Sequence, residues 1–393
     1  MSIYLDQACT SYPKPESVIL AMQNYMQNNG ANIGRGGYEE AYEAEEEILM
    51  AREGICRLFN AENPECVIFT AGLTMSINMV LKGLLNEGDN VIISGMEHNA
   101  VARPVEMLHR EGVSVSVMEC DDKGELILPD EEIQKLITKN TKVMAVTAAS
   151  NVTGSKLPLE RLGAICKNHG LIFVVDSAQL AGSAPLDMKR MNIDVLCFSG
   201  HKGLLGPQGV GGFVVKKEVA KKISPIIGGG TGSFSDSPLM PQRLPDKFEA
   251  GTLNNPGIIG LKAAVEWVLE RNVASIEAHE MALTREFLGG LKKYEEEGQI
   301  KIYGRHDTVN RCPVVSVGAL NMDNSSLSYL LDKRYNIKTR VGLHCAPMAH
   351  KTIGSYPEGT VRFSFGYANT IDEVKKVLEA MSEIIFGAGN VLS

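Results

Sequence analysis

The stretch LIFVVDSAQLAGSAPLDMKRMNIDVLCFSGHKGLLGPQGVGGFVV, residues 171–215, decides the fold class. It contains apolar, β-branched runs at 171–176, 194–199 and 211–215, each bounded by Gly, Asp or Ser. Such runs are typical of strands buried on both faces of a sheet. Four further runs precede it, at 66–70, 90–94, 114–118 and 142–146, with helix-period segments such as 74–85 and 159–170 between strands. This alternation predicts an α/β domain with a mostly parallel seven-stranded sheet.

The composition excludes several classes of protein. The chain of 393 residues has 39 basic and 47 acidic side chains, a net charge of −8, and no basic segment of the kind that binds nucleic acid. No apolar run approaches the roughly 18 residues of a membrane helix, and the N-terminus lacks the pattern of a signal peptide. The eight cysteines form no C-x-x-C pair. We therefore expect a cytoplasmic protein that binds neither nucleic acid nor a membrane.

The second half of the chain has a different pattern. Residues 224–258 are rich in Gly, Pro and Ser, and a loop of this length is typically functional or disordered. A long helical pattern from 257 to 297, short strands and a final helix at 371–385 then predict a smaller α+β domain. We expect an N-terminal segment, 1–15, near the small domain and the active site, a large domain, 16–256, and a small domain, 257–393.

Four features of the large domain match what pyridoxal 5′-phosphate (PLP) requires of a protein: an amine, a counter-charge for the ring nitrogen, a phosphate site and a ring partner. The amine candidate is Lys202, which follows an apolar strand in the Gly-rich turn FSGHKGLLGPQG. Ser199 and His201 beside it are suited to hydrogen bonds with phosphate. The alternative for any lysine is a solvated surface charge, which a position directly after a buried strand disfavours.

The counter-charge candidate is Asp176, at the carboxyl end of the strand LIFVVD. Side chains at this end of a parallel strand face the crevice where α/β sheets bind ligands. The alternative is a helix N-cap, a role that Asp fills well. Gln179, three residues later, is a candidate hydrogen-bond partner for the phenolic oxygen of the cofactor.

The other two candidates follow earlier strands. In FTAGLTMSIN, Gly72, Leu73 and Thr74 lie where a strand ends and a helix begins, and a helix N-terminus binds phosphate through free N–H groups. His98, after the strand NVIIS, is suited to stacking on a pyridine ring and to proton transfer. Ordinary capping and a structural histidine are the alternatives. All four features follow one another at strand ends, which favours a PLP site.

The chain resembles the class V aminotransferases, and among them the cysteine desulfurases and selenocysteine lyases, over nearly its full length. The most specific motifs are V-D-S-A-Q at 175–179, S-G-H-K at 199–202, F-E-A-G-T at 248–252 and R-V-G-L-H-C-A-P at 340–347. The resemblance implies the PLP-dependent transferase fold type I (aspartate-aminotransferase-like) with PLP as the cofactor. It further implies conversion of L-cysteine to L-alanine, with the sulfur passed to an acceptor protein.

The resemblance also assigns roles to individual residues. It implies that Lys202 holds PLP as a Schiff base, that His98 stacks on the ring and that Asn151 contacts the cofactor oxygen and the substrate. It implies that Thr252 reaches the phosphate of a neighbouring subunit, and hence a homodimer with shared active sites. The remaining cofactor contacts that it implies are Gly72, Leu73, Thr74, Asp176, Gln179, Ser199 and His201.

Two further residues make this a sulfur-transfer site by resemblance: Cys345 as the persulfide-forming cysteine and Arg362 as the group that binds the substrate carboxylate. We expect His344 to favour the thiolate of Cys345. The short spacing from Cys345 to Arg362 resembles the SUF-type (group II) enzymes. Three departures from the family pattern are Leu73 in the phosphate loop, Gly34 in place of a histidine, and a single histidine before Cys345.

Other functions stay open from the sequence alone. A selenocysteine lyase acting on L-selenocysteine fits the same motifs, and so does another PLP-dependent aminotransferase or β-lyase. A non-catalytic scaffold that binds sulfur carriers is the alternative outside the enzymes, and the presence of both Lys202 and Asp176 argues against it.

Overall fold

The computed structural model describes residues 2–34 and 36–387. The chain begins with a short strand and two helices: β1 (Ile3–Tyr4), α1 (Glu16–Asn28) and α2 (Glu39–Phe59). A 3₁₀ turn, Pro64–Cys66, leads into the large sheet. The strands of this sheet are β2 (Val67–Thr70), β3 (Asn90–Ser94), β4 (Ser114–Met118), β5 (Thr141–Thr147), β6 (Ile172–Asp176), β7 (Val195–Ser199) and β8 (Gly211–Val215).

The large sheet has seven strands in the order β2-β8-β7-β6-β5-β3-β4. Only β8 runs antiparallel to its neighbours, β2 and β7, so the sheet is mostly parallel, as predicted. The carboxyl ends of β2, β3, β5, β6 and β7 therefore meet at one edge. Every residue of β3, β6, β7 and β8 is buried, which explains the continuous apolar runs of the sequence.

Helices cover both faces of the large sheet. They are α3 (Leu73–Leu84), α4 (Asn99–Arg110), α5 (Asp130–Lys135), α6 (Leu159–His169) and α7 (Lys217–Ala220). Alternate strand residues go to different cores: Phe173 and Val175 pack with α6, whereas Val174 packs with α3 and α4. This two-sided burial is the reason that strand ends, and not strand faces, are available for a ligand.

The next helix, α8 (Asn255–Arg271), begins at the predicted domain boundary but packs against α1 and α2. Its residues Ile258, Ile259 and Leu261 belong to the core of the large domain. The separate core of the small domain takes up residues from α9 (Val273–Glu296) onward. Residues 257–271 were predicted to belong to the small domain, but in the structure they pack with the large domain. The sequence gives no sign of this packing because α1 and α2 are far from α8 along the chain.

The small domain contains β9 (Ile300–Tyr303), β10 (Val314–Ala319), α10 (Asn324–Tyr335), β11 (Ile337–Lys338), β12 (Arg340–Gly342), α11 (Pro347–Thr352), β13 (Thr360–Ser364) and α12 (Ile371–Gly387). Four of its strands form an antiparallel sheet in the order β12-β13-β10-β9. The N-terminal strand β1 pairs in parallel with β11, and Asp6 forms a β-bridge with Ser364, the last residue of β13. Residues 3–6 therefore lie on the small domain.

Within residues 2–34 and 36–387, no helix combines the length and the apolar character needed to cross a bilayer.

Candidate active site

A cavity of about 830 Å³ lies at the carboxyl edge of the large sheet. Segments that follow β2, β3, β5, β6 and β7 contribute to its wall, and Ile226 and Ile227 of the long loop close part of it. The structure brings most of the predicted cofactor residues together here: Gly72, Leu73, Thr74, His98, Asn151, Asp176, Gln179, Ser199, His201 and Lys202. This edge is the usual ligand site of an open α/β sheet.

Lys202 and Asp176 share the wall of this cavity. Burial lowers the pKa of the Lys202 amine, and the carboxylate of Asp176 opposes that effect. Burial likewise raises the pKa of Asp176, opposed by the backbone N–H of Ala178, which donates to Asp176 Oδ1 at 2.9 Å, and by Lys202. Asp176 thus does cap a local turn, although no helix follows it. An amine with a lowered pKa is a better nucleophile and base near neutral pH.

The phosphate-site candidate has open hydrogen-bond donors. Helix α3 begins at Leu73, and its N-cap, Gly72, has φ +155° and offers no side chain to cap the helix. The first N–H groups of a helix have no partner within the helix. On the cavity wall, the buried Nδ1 of His201 has no partner among the described residues. Burial lowers the pKa of His201 to about 4, so the ring is neutral at neutral pH.

His98 combines a capping role with a place in the cavity. It is the N-cap of α4, and its Nδ1 accepts a hydrogen bond from the backbone N–H of Ala100 at 3.0 Å. Burial, reinforced by Lys202, lowers the pKa of His98 to about 4. The ring is therefore neutral, and because Nδ1 accepts, its proton is on Nε2.

Cys345 is not part of this cavity wall; its side chain is exposed, and the loop that carries it is bonded to the wall. Asn151 Nδ2 donates to the carbonyl oxygen of His344 at 2.8 Å, and the backbone N–H of Asn99 donates to that of Cys345 at 2.8 Å. His344 and Cys345 have φ of +49° and +57°, in the left-handed region. Two segments of the cavity wall thus hold the loop in a tight turn that presents the thiol.

The expectation that His344 favours the thiolate is wrong. The ring of His344 is buried, its Nε2 bonds to Thr360 Oγ1 at 2.9 Å, and burial lowers its pKa to about 2. A neutral imidazole offers no positive charge to the cysteine. The nearby cation is instead Arg340, whose Nη2 lies 4.0 Å from Cys345 Sγ.

Arg362 and Thr252 also lie apart from the cavity wall formed by described residues. Arg362, in β13, is only 2% exposed, and its Nη2 forms an ion pair with Asp6 Oδ1 at 2.7 Å. Its Nη1 donates to the carbonyl oxygen of Asn151 at 3.2 Å, and its Nε has no partner among the described residues. Thr252 is exposed on the surface of the large domain.

The sequence reasoning missed four residues close to this site: Asp6, Cys9, Glu97 and Arg340. Glu97, beside His98, is fully buried, and burial raises its pKa to about 8. Cys9 Sγ accepts from Arg340 Nη1 at 2.7 Å. The sequence could have indicated each of them: Asp6 and Cys9 occur in YLDQAC, Glu97 is next to His98, and Arg340 begins the RVGLHCAP motif.

A sequence profile described as Aminotransferase class-V matches residues 3–377. The chain belongs to the class V aminotransferase family. Among similar curated proteins are a probable cysteine desulfurase of Methanothermobacter thermautotrophicus, 33% identical over 97% of this chain and 94% of that one, and the cysteine desulfurase CsdA of Escherichia coli, 32% identical over 98% and 94%. These similarities to class V aminotransferases cover nearly the whole chain.

Solved structures of the same family are similar throughout. The apo cysteine desulfurase of Thermococcus onnurineus superimposes with a TM-score of 0.91, at 32% identity over 98% of this chain and 95% of that one. The E. coli cysteine desulfurase CsdA, solved as its S-sulfonic acid form, has a TM-score of 0.85 at 29% identity, over 98% and 95%. The fold is thus the PLP-dependent transferase fold type I, as predicted.

PLP is the cofactor of class V aminotransferases, and the cavity fits it. The unpartnered Nδ1 of His201 and the uncapped N-terminus of α3 provide donors for a phosphate. The Lys202 amine and the Asp176 carboxylate occupy the same wall. The donor set therefore matches the amine, phosphate and counter-charge that the cofactor requires.

Proposed function

We propose that the chain is a PLP-dependent cysteine desulfurase that converts L-cysteine to L-alanine and holds the sulfur as a persulfide on Cys345. The observation that carries this proposal is the attachment of the Cys345 loop to the cavity: Asn151 lines the cavity and also donates to the carbonyl oxygen of His344. An exposed thiol thereby stands beside a site that contains a buried amine. The names of the similar proteins support the same reaction.

PLP, when bound, supplies an electron sink for the electron pair at the substrate Cα. The Lys202 amine, with its lowered pKa, removes the Cα proton, since burial leaves it able to act as a base. Asp176 would supply a negative charge for the ring nitrogen of the bound cofactor. Neutral His98, with its proton on Nε2, would pack against the ring and could donate that proton within the cavity. The remaining cofactor residues would hold the phosphate and the phenolic oxygen.

The sulfur step is assigned to Cys345. Its thiolate attacks the substrate sulfur, and the bond from that sulfur to Cβ breaks with its electron pair staying on the carbon side, which is protonated on the way to L-alanine. The sulfur stays on Cys345 Sγ as a persulfide. Arg340 Nη2 lies 4.0 Å from this thiol, so a positive charge stands beside the attacking sulfur. An acceptor protein then takes the sulfur from the exposed side chain of Cys345.

The substrate carboxylate is assigned to Arg362, whose guanidinium matches a carboxylate in shape. In the structure, Nη2 of this guanidinium is bonded to Asp6, while Nε has no partner among the described residues. A substrate carboxylate therefore binds in competition with Asp6 or beside it. This arrangement makes the N-terminal segment part of the proposed substrate site.

A homodimer is part of the same proposal. Helices α1 and α2 expose six large apolar side chains: Ile19, Leu20, Met26, Tyr42, Leu49 and Met50. A second copy on this face is the proposed source of the shared active sites, to which exposed Thr252 would contribute. Leu49→Asp is expected to give monomers in light scattering, whereas Val309→Asp, equally exposed but on the small domain, is expected to stay dimeric. If both variants are dimers, or both are monomers, the proposed interface is wrong.

The cytoplasmic location stays a prediction, and the eight free thiols support it.

The test of the function uses the purified PLP-loaded protein. L-cysteine and L-selenocysteine are supplied separately, alanine is quantified, and the Cys345 peptide is analysed for one added sulfur atom. Cys345→Ala is expected to lose alanine formation from L-cysteine, and Cys120→Ala, which removes the half-buried thiol that follows β4, to retain it. Conversion of L-cysteine by Cys345→Ala at nearly the wild-type rate contradicts the proposal. A preference for L-selenocysteine that survives this substitution indicates a lyase instead.

A further inference from the structure

Two arginines of the small domain lie opposite each other in adjacent strands. Arg340 of β12 and Arg362 of β13 are register partners, so their side chains emerge on the same face of the sheet. Like charges in this arrangement repel each other, and each requires a counter-group. Arg362 is bonded to the carboxylate of Asp6, and Arg340 Nη1 is bonded to Cys9 Sγ at 2.7 Å. Cys9 Sγ thus has the same position beside Arg340 that the Asp6 carboxylate has beside Arg362.

The same guanidinium also contacts the second thiol. Arg340 Nη2 lies 4.0 Å from Cys345 Sγ, so one planar group contacts both Cys9 and Cys345. A guanidinium at this position stabilises negative charge on either sulfur. Cys9 is half-buried, whereas Cys345 is exposed. The two thiols therefore share one cation but differ in their access to solvent.

Cys9 is also close to the cavity. The carbonyl oxygen of the preceding residue, Ala8, accepts a hydrogen bond from Gln179 Nε2 at 3.1 Å, and Gln179 lines the cavity. The backbone N–H of Cys9 donates to the carbonyl oxygen of Asp6 at 3.0 Å, which joins it to the partner of Arg362. Cys9 is thus fixed between the proposed carboxylate site and the proposed persulfide cysteine.

We propose that Cys9 is a second sulfur-carrying residue, which takes the transferable sulfur from Cys345; this inference rests on the function proposed above. The Cys9 thiolate attacks the outer sulfur of the Cys345 persulfide. A new S–S bond forms on Cys9, the S–S bond at Cys345 breaks, and its electron pair stays on Cys345 Sγ as a thiolate. One persulfide replaces another, so the step needs no oxidant or reductant. Arg340 is a positioning residue that stabilises the attacking and the leaving thiolate in turn.

The transfer has a consequence for turnover. It regenerates the Cys345 thiolate for another attack on substrate sulfur, and it stores the first sulfur on a less exposed side chain. A protein with both cysteines is then expected to hold up to two sulfur atoms, one on each peptide. A protein without Cys9 holds one.

The experiment treats the PLP-loaded protein with excess L-cysteine, blocks all thiols and persulfides with iodoacetamide, and measures the added sulfur on the Cys9 and Cys345 peptides. The wild-type protein is expected to have sulfur on both. Cys9→Ser is expected to have it on Cys345 alone, and Cys345→Ala on neither. Cys120→Ala is the matched control and is expected to match the wild type on both peptides.

Two outcomes overturn the inference while leaving the proposed function intact. One is alanine formation with sulfur on Cys345 only. The other is a Cys9–Cys345 disulfide with release of sulfide, which means that Cys9 attacked the inner sulfur of the persulfide. Absence of alanine formation from L-cysteine by the wild-type protein overturns the proposed function and the inference together. Arg340→Lys keeps a charge but cannot contact both sulfurs, so it is expected to lower the sulfur on Cys9 several-fold relative to Cys345. An unchanged ratio contradicts the positioning role of Arg340. Thermal unfolding of each variant identifies any that fail to fold.

Discussion

Arg340 and Arg362, register partners on β12 and β13, are each bonded to a different residue of the N-terminal segment: Arg340 to Cys9 and Arg362 to Asp6. Two cations side by side on one sheet face are unfavourable unless each has a partner. The N-terminal segment supplies both partners. Its first residues therefore contribute to the electrostatics of the site.

Asp6→Asn is expected to weaken folding and strengthen ligand stabilisation. The substitution leaves the buried guanidinium of Arg362 without its counter-charge, which is expected to lower the free energy of unfolding by about 1–3 kcal/mol. L-alanine, whose carboxylate can then occupy the guanidinium, is expected to raise the melting temperature of the variant more than that of the wild type. Thermal unfolding with and without L-alanine measures both. Asp323→Asn, at an exposed helix N-cap, is the control, and equal stabilisation of all three proteins contradicts the prediction.

Glu97→Gln is expected to change how stability depends on pH. The folded protein keeps Glu97 protonated up to a pKa of about 8, whereas the unfolded chain ionises near 4.5. The contribution of Glu97 to stability is therefore full below pH 4.5 and is lost as the pH rises through about 8. The difference in unfolding free energy, variant minus wild type, should thus increase across this interval and level off above it. Denaturant titrations at several pH values test this, and exposed Glu131→Gln should show no such trend.

Arg340→Gln is expected to slow alkylation of Cys345 by iodoacetamide several-fold at neutral pH, because the nearby positive charge is lost. His344→Asn is expected to leave the rate close to that of the wild type, since His344 is neutral and Asn tolerates its φ of +49°. Peptide mass spectrometry over time gives the rates, and Arg340→Lys is the charge-preserving control. If His344→Asn lowers the alkylation rate of Cys345 as much as Arg340→Gln does, His344 is the activating residue and the prediction is wrong.

Gly182→Ala is expected to destabilise the protein and disturb the site. Gly182 has φ +86°, and an added Cβ would lie 2.2 Å from the carbonyl oxygen of Gly203, next to Lys202. The strain is expected to cost roughly 1–3 kcal/mol and to weaken PLP absorption. Gly289→Ala, in the exposed interior of α9 with no atom within 4 Å, is expected to gain about 0.5–1 kcal/mol. Unfolding curves compare the two, and the same sign for both contradicts the argument.

The large sheet was predictable because its signal is local. Each strand is a short apolar run, and the residues that follow the runs, such as His98, Asp176 and Lys202, share one edge for topological reasons. The packing of α8 and the Arg340–Cys9 contact were not predictable in this way. Both join segments distant in the sequence, and no periodicity in either segment indicates its partner.

Some residues also have more than one role, which sequence patterns do not separate. His98 and Asp176 each accept a backbone hydrogen bond in a local cap, as the alternatives to the functional interpretation stated, and both still line the cavity. His344 is the opposite case: its position next to Cys345 suggested activation, but its ring is turned to Thr360 and buried. Adjacent positions in a tight turn present their side chains in different directions.

The pairing of β1 with β11 has a consequence for biosynthesis. Ile3 leaves the ribosome long before its partner Ile337, which is synthesised after the whole large domain. The large domain has its own core and can begin to fold earlier, since domains generally fold as units during synthesis. Residues 3–9 then stay unpaired until β12 and β13 have been made, and only after that can Asp6 and Cys9 reach their arginines. A chain that ends before β12 therefore lacks both contacts.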